Sequence, residues 1–293
     1  MTIALTGTSG NIGRKVLERL TSGSDAASRN DLVLIGRDLS KLPEGGDHRE
    51  ASYGDTPAMT AALAGVATLF FVSGREAPNR LEQHYSVVDA AYAAGVERIV
   101  YLSFLGNSAE STFTFGRHHH FTEERIRAAG LTYTFLQDSL YQDYLPFMTG
   151  ADGVIRGPAG EGRVSAVTQD DVAASAATVL RAVRDGDPTH DDVAYKLTGP
   201  AALTLDEVAA ALQQVSGRSV RYERETEPEA YASRAQYNAP EFEVEGWVTS
   251  YQAIANGELA EVSGDVRTIT GHNAVAFADY LQQNPASWAH LSS

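Results

Sequence analysis

Three glycines separated by two residues each, in Gly7-Thr8-Ser9-Gly10-Asn11-Ile12-Gly13, are the first residues whose types and spacing can do chemistry. An apolar run from Thr2 to Thr6 precedes them, and Ile12, Val16, Leu17 and Leu20 follow at helical spacing. Between a strand and a helix, Gly7 permits a tight turn, Gly10 lets the backbone approach a pyrophosphate, and Gly13 lets the helix lie against the sheet. Free N–H groups at the helix start, with the helix dipole behind them, make an anion site. The loop from Gly7 through Thr8, Ser9, Gly10, Asn11 and Ile12 to Gly13 is therefore expected to hold a dinucleotide, with an ordinary structural turn as the alternative.

The end of the next apolar run chooses between dinucleotides. An acidic side chain there would accept from a ribose 2′-OH, but the chain reads Ile35-Gly36-Arg37-Asp38-Leu39-Ser40-Lys41. Gly36 leaves space, and Arg37 with Lys41 offers charge-assisted hydrogen bonds to a 2′-phosphate. Lysine is scarce, at positions 15, 41 and 196 alone, so its presence here is informative; Asp38 counts against the argument. NADP(H) is the expected cofactor and NAD(H) the less favoured one. A solvated turn with ordinary surface charge is the competing reading.

The elements that must carry this loop follow from the alternation of apolar strands and helical stretches. Strands are expected at residues 32–35, 49–53, 68–72, 98–103 and 132–136, with helices near 57–63, 79–94 and 117–129. Continuous apolar strands separated by helices indicate a parallel sheet covered on both faces. The expected fold is thus α/β: a doubly wound Rossmann sheet over residues 1–150, with a smaller α+β segment over 151–293 that partly returns to it and forms the substrate side of a cleft. In that segment, glycines between 150 and 162 mark a loop or hairpin, Gln169 starts a helix reaching about Val183, and residues 193–198 read as a strand. Thr204 and Glu207 form a capping box, and two or three helices end near Gln283.

Composition narrows the partners. The 293 residues carry 23 Lys+Arg against 38 Asp+Glu, a formal charge of −15, and no cysteine. Thiol nucleophiles, disulfides and Cys-ligated metals are excluded, and a broad nucleic-acid footprint is disfavoured. The longest near-apolar run, Val66 to Val72, is far short of the ~18 to 20 residues that span a bilayer. A soluble cytoplasmic protein is expected, with a small-molecule partner, no direct nucleic-acid or membrane contact, and a homodimer left open as the assembly.

Several blocks together resemble the NmrA-like group of atypical short-chain dehydrogenase/reductases, and among them the bacterial NAD(P)H:quinone oxidoreductase-like members. They are the glycine loop, Tyr53-Gly-Asp55, Val87-Val-Asp-Ala-Ala-Tyr-Ala-Ala-Gly-Val-Glu-Arg-Ile-Val-Tyr-Leu-Ser103, Thr122-Glu-Glu-Arg-Ile-Arg-Ala-Ala-Gly-Leu-Thr-Tyr-Thr-Phe-Leu136 and Tyr195-Lys-Leu-Thr-Gly-Pro200. The resemblance implies that Asp55 lies beside the adenine and that Ser73 to Arg75 run past the cofactor. It also implies that Tyr141 matches an aromatic position near the cofactor, with a core or lid aromatic as the alternative. Gln137 stands where relatives often have Arg. The group includes both reductases and members that sense NADP(H) without turnover.

The standard dehydrogenase pair, Tyr followed four residues later by Lys, occurs nowhere in the chain. The corresponding helix carries His118, His119 and His120, with His119 where some members of the group have Lys. Consecutive helical residues point about 100° apart, so the three cannot share a metal, and no metal site is expected. His119 is read as a polar or proton-relaying group facing the cofactor, against a solvated helix start; Ser103 is read as a partner beneath the nicotinamide, against a strand-end cap. Hydride addition to a quinone gives a phenolate-type oxygen with a pKa near 10, far less basic than an alkoxide. The expected activity is therefore NADPH-dependent reduction of a quinone-like or other activated small acceptor, with catalytic His119 and Tyr141. The alternative is a non-catalytic NADP(H)-sensing regulator acting through protein contacts; an epimerase is disfavoured by the same missing pair.

Overall fold

The computed structural model describes residues 1–23, 27–44 and 46–291. Its strands are β1 (Ile3–Thr6), β2 (Leu32–Gly36), β3 (Asp47–Glu50), β4 (Thr68–Val72), β5 (Arg98–Phe104), β6 (Thr132–Asp138), β7 (Val154–Gly157), β8 (Val193–Leu197) and β9 (Arg221–Arg224). Its helices are α1 (Asn11–Leu20), α2 (Thr56–Ala62), α3 (Arg80–Ala93), α4 (Thr114–Ala128), α5 (Gln169–Arg184), α6 (Leu205–Ser216), α7 (Glu227–Arg234), α8 (Glu241–Ala255), α9 (Asp265–Thr270) and α10 (Phe277–Gln283). No helix among the described residues is long and apolar enough to cross a membrane.

The main sheet has the order β3-β2-β1-β4-β5-β6-β8, and every pair from β3 to β5 is parallel. This is the doubly wound Rossmann arrangement expected above. The order reverses between β1 and β4, so their C-terminal ends diverge into a crevice where ligands of such sheets bind. Main-chain pairing of β1 with β4 ends at Leu5 and Phe70. There the buried Thr6 hydroxyl takes over, donating to the Phe70 carbonyl at 3.1 Å and accepting the Val72 N–H at 3.0 Å.

Apolar residues on both faces of these strands explain their burial. Leu69, Phe71, Ile99, Tyr101 and Phe135 join Met59 and Leu63 of the α2 region and Val87 and Val88 of α3 in one core. Each fully buried side chain of this kind contributes on the order of 1.5–3 kcal/mol.

The chain forms two compact units that are not continuous in sequence. The first comprises Met1–Phe104, His118–Gln137 and Val172–Tyr195; the second comprises Leu105–Arg117, Asp138–Asp171 and Lys196–Ser293. In the second unit β7 and β9 form a parallel pair. The Thr204–Glu207 capping box starts α6 as expected.

Three local expectations are corrected. The third strand is Asp47–Glu50 rather than residues 49–53, because the chain turns beyond it, with Asp55 N–H bonding to the Ser52 carbonyl. The glycine-rich stretch does turn back locally, with an antiparallel bridge between Thr149 and Ile155, but it also contains a strand, β7, whose ladder partner lies 67 residues later. Four α-helices, not two or three, follow β9 before Gln283.

Candidate active site

The glycine loop emerges from β1 at the switch point and does what its spacing requires. Gly7 has φ +70°, and a Cβ there would lie 2.8 Å from Val72 Cβ, so the loop passes directly against the end of β4. A Cβ on Gly13 would lie 2.3 Å from the Gly7 carbonyl oxygen, which makes glycine obligatory for seating α1. A Cβ on Gly10 would meet only that oxygen, at 3.3 Å, leaving open space in front of the loop. Gly10 is the N-cap of α1 but supplies no side-chain cap, and the first turn holds no acidic residue. The N–H groups of this turn are thus available to an anion.

Around the loop, Ser9, Gly10 and Asn11 are exposed, whereas Ile12 and Gly13 are packed inward. Thr8 is fully buried and its hydroxyl has no partner among the described residues. Such an uncapped cradle fits a pyrophosphate.

At the end of β2, the Asp38 carboxylate is engaged within its own turn. Its carboxylate accepts the Ser40 N–H at 3.0 Å and the Ser40 hydroxyl at 2.6 Å, and pairs with Lys41 Nζ at 3.3 Å. These bonds, the Ser40 hydroxyl foremost, hold its pKa below the usual aspartate value. Arg37 is exposed and forms no hydrogen bond or ion pair with another described residue. Of the two cations of this turn, Lys41 is the one shared with Asp38. Asp55, exposed, caps α2 by accepting the Ala58 N–H at 3.0 Å. Ser73, half-buried, opens the loop after β4, beside the glycine loop.

Ser103 and His119 are found in places the sequence reading did not anticipate. The Ser103 hydroxyl is buried and donates to Glu123 Oε1 at 2.6 Å. Gln137 donates to the same oxygen at 2.9 Å, and Arg127 pairs with Oε2 at 3.3 Å, so Gln137 serves a buried carboxylate.

His119 is only 6% exposed. Its Nε2 faces the Arg80 guanidinium at 2.9 Å, which can only donate, so Nδ1 carries the proton and donates to Tyr101 Oη at 2.9 Å. It is neither a solvated helix start nor a free proton relay. Burial, and then the Arg80 charge, hold both His119 and the neighbouring His84 well below the usual histidine pKa.

The unfolded chain takes up these protons near pH 6.5 and the folded one does not, so His119 costs stability as pH falls below 6.5 and none above it. Asp138, held protonated to about pH 8, acts in the opposite sense over the same range. The contribution of His119 is isolated by difference: urea unfolding of His119→Asn should lose stability less steeply than wild type below pH 6.5, by up to ~1.4 kcal/mol per pH unit. Parallel curves would show that the ring is not held neutral.

Tyr141 belongs to the second unit. Its hydroxyl donates to Asp138 Oδ2, and its ring lies 5.8 Å from that of Tyr144. Asp138, at the end of β6, is 4% exposed; burial pushes its carboxyl up to about 8, against the Tyr141 hydrogen bond. Burial, and then the Asp138 charge, raise the Tyr141 phenol well above its usual value. Below about pH 8 each group of the pair therefore carries its own proton, and above it the carboxylate accepts the phenolic O–H.

Four residues of this chemistry were missed in the sequence. Asp138 has a local signal, an acid three residues before Tyr141 at a strand end. Arg80 and His84 lie four apart, on one face of α3 amid apolar positions, which is where a polar pair needs a reason. Glu123 had only its i,i+4 spacing to Arg127 on α4, since its other partners, Ser103 and Gln137, come from β5 and β6.

The fold and the uncapped glycine cradle at its switch point define a nicotinamide-dinucleotide-binding protein of the Rossmann class. Residues 7–182 match the family described as NAD(P)H-binding. Quinone oxidoreductase 2 of Escherichia coli K12 is 32% identical over 94% of this chain and 96% of its own. An NAD(P)H azoreductase of Xenophilus azovorans is 29% identical over 98% and 99%. Among solved structures, the E. coli NADPH-dependent quinone oxidoreductase in complex with NADPH superposes with a TM-score of 0.87 at 31% identity, covering 96% of this chain and 99% of that one. The chain belongs to the NAD(P)H-binding family, in its NmrA-like group.

Proposed function

We propose that the protein is an NADPH-dependent reductase of quinone-like or other electron-poor small acceptors. The observation that carries this reading is the glycine cradle with its uncapped helix start, in a chain whose full-length relatives are named as reductases of quinones and azo compounds. Those names favour turnover over the sensor reading. The bound nicotinamide supplies the hydride. The backbone of residues 7–13 binds the pyrophosphate, Arg37 holds the 2′-phosphate, and Asp55 and Ser73 lie along the dinucleotide. Tyr141 Oη delivers the proton that the reduced acceptor requires, replenished from Asp138. His119 acts through Arg80 and Tyr101 as a positioning residue rather than a catalytic one. Stopped-flow absorbance of NADPH with a panel of quinones tests the activity; no acceptor-dependent oxidation across the panel would remove it.

Cofactor choice rests on Arg37. Loss of a hydrogen bond to a charged group costs about 1.5–3 kcal/mol, so Arg37→Ala should weaken NADPH binding by roughly tenfold to a hundredfold. NADH binding should be unchanged in the same calorimetric titrations. A retained NADPH preference in the variant would assign the 2′-phosphate to another group.

A further inference from the structure

We propose that Arg80 and His84 are positioning residues that clamp the loop after β4 and thereby set the affinity for the dinucleotide. The inference rests on the cofactor reading above and extends it to residues that touch no open side of the site.

The loop begins at Ser73, directly after Val72, and Val72 is the residue against which Gly7 packs. Its main chain therefore forms the wall of the crevice facing the glycine loop across the switch point. Tyr53 fixes the start of this wall, its hydroxyl donating to the Val72 carbonyl at 2.7 Å. Two residues on, both main-chain groups of Gly74 are taken by side chains of α3. Its N–H donates to His84 Nε2 at 2.8 Å, and its carbonyl accepts from Arg80 Nε at 2.8 Å. A Cβ at Gly74 would lie 3.2 Å from that Nε2 and 3.3 Å from the Tyr53 ring, so the backbone itself is pressed onto the clamp.

The clamp is in turn held from behind. His84 Nε2 accepts from an obligate donor, so Nδ1 carries the ring proton and donates to Thr122 Oγ1 at 2.9 Å, and that hydroxyl donates to the His118 carbonyl at 2.6 Å. Arg80 reaches past Gly74 to His119 Nε2 at 2.9 Å, and His119 is anchored on Tyr101. Arg80 is 3% exposed and His84 fully buried.

Stability alone does not account for this arrangement. Burying a guanidinium is costly, and apolar side chains of similar volume commonly serve a core as well or better. Surface loops ordinarily leave their N–H and C=O groups to water. Here a buried charge and a buried imidazole, besides their bonds to His119 and Thr122, each take one main-chain group of a single glycine. What they secure is the position of one crevice wall before the ligand arrives, which removes an ordering cost from binding.

Two substitutions at His84 separate positioning from mere packing. The His84→Gln side chain reaches the place of Nε2 and can still accept from Gly74, but it loses the Thr122 bond. The His84→Asn side chain reaches the place of Nδ1 and keeps Thr122, but it loses Gly74. NADPH titration should show about tenfold weaker binding for His84→Asn, with binding by His84→Gln within about threefold of wild type. The KM for NADPH should follow the same order while kcat at saturation stays unchanged. Arg80→Lys, which keeps the charge without the fork, should behave as His84→Asn does.

Equal NADPH affinity in both His84 variants, or an equal loss in both, would overturn the proposal. Should the variants fail to fold, hydrogen exchange on the wild type still decides. The Gly74 amide should be protected before NADPH is added, and rapid exchange there would also overturn it. Wild-type protein that bound no NADPH at all would instead refute the cofactor reading.

Discussion

Gly13→Ala is expected to weaken NADPH binding by roughly fivefold to a hundredfold, the span of the ~1–3 kcal/mol that overpacking a close backbone contact costs. The added methyl would sit 2.3 Å from the Gly7 oxygen, 2.4 Å from its carbonyl carbon and 2.7 Å from the Thr8 nitrogen. All three are backbone atoms of the loop, so no flexible side chain can yield. Either α1 retreats from the sheet or the loop is displaced, and both spoil the N–H cradle.

Gly10→Ala makes the informative contrast. Its methyl meets only the Gly7 oxygen, at 3.3 Å, and otherwise projects into the space in front of the loop. It should therefore reduce NADPH affinity with little change in melting temperature, whereas Gly13→Ala should lower both. Calorimetric titration and thermal unfolding of the two variants check this pair. NADPH binding by Gly13→Ala within threefold of wild type would show that the dinucleotide does not use this cradle.

The second large effect is expected at the Tyr141–Asp138 pair of the second unit. General acid catalysis typically contributes 10²- to 10⁴-fold, and a phenolate-type product needs the lower end. Tyr141→Phe should thus reduce kcat with a quinone by about a hundredfold, with little change in KM for NADPH.

The pH dependence identifies the proton's source. Below about pH 8 Asp138 holds its proton, and the protonated carboxyl can donate to Tyr141 Oη, freeing the phenolic O–H for the acceptor. Above about 8 the carboxylate instead accepts that O–H and removes it from service. Wild-type kcat should fall as pH rises through this region. Asp138→Asn cannot titrate, so its kcat should be low and flat over the same range. An alkaline limb that persists in Asp138→Asn would assign it to another group, and unchanged kcat in Tyr141→Phe would remove Tyr141 from the proton path.

Much of the site was legible because it is local. The strand–glycine–helix sequence of residues 3–20 specifies a backbone path from steric rules that act between near neighbours. Arg37 was legible for the same reason, following the end of its strand by one residue. Asp38 illustrates the boundary: its type argued against NADP(H), yet its carboxylate caps a turn formed with Ser40 and Lys41. The strand β7 escaped notice because its ladder is made with Arg221–Arg224, far along the chain.

The roles of Ser103, His119 and Asp138 belong to another level. Their residue types and their places at strand ends or on a helix could be read in order along the chain. Whether each is free to touch a ligand depends on partners that only folding brings close. Arg80 and His119 are 39 positions apart in sequence, and Ser103 and Glu123 are 20 apart. Burial then alters what the groups are: an imidazole faced by a guanidinium stays neutral, and a carboxyl with one phenol for company keeps its proton to about pH 8. Amino-acid order sets the anion cradle because backbone geometry is a short-range property. Proton affinity and positioning arise from desolvation and distant neighbours, and those exist only in the packed chain.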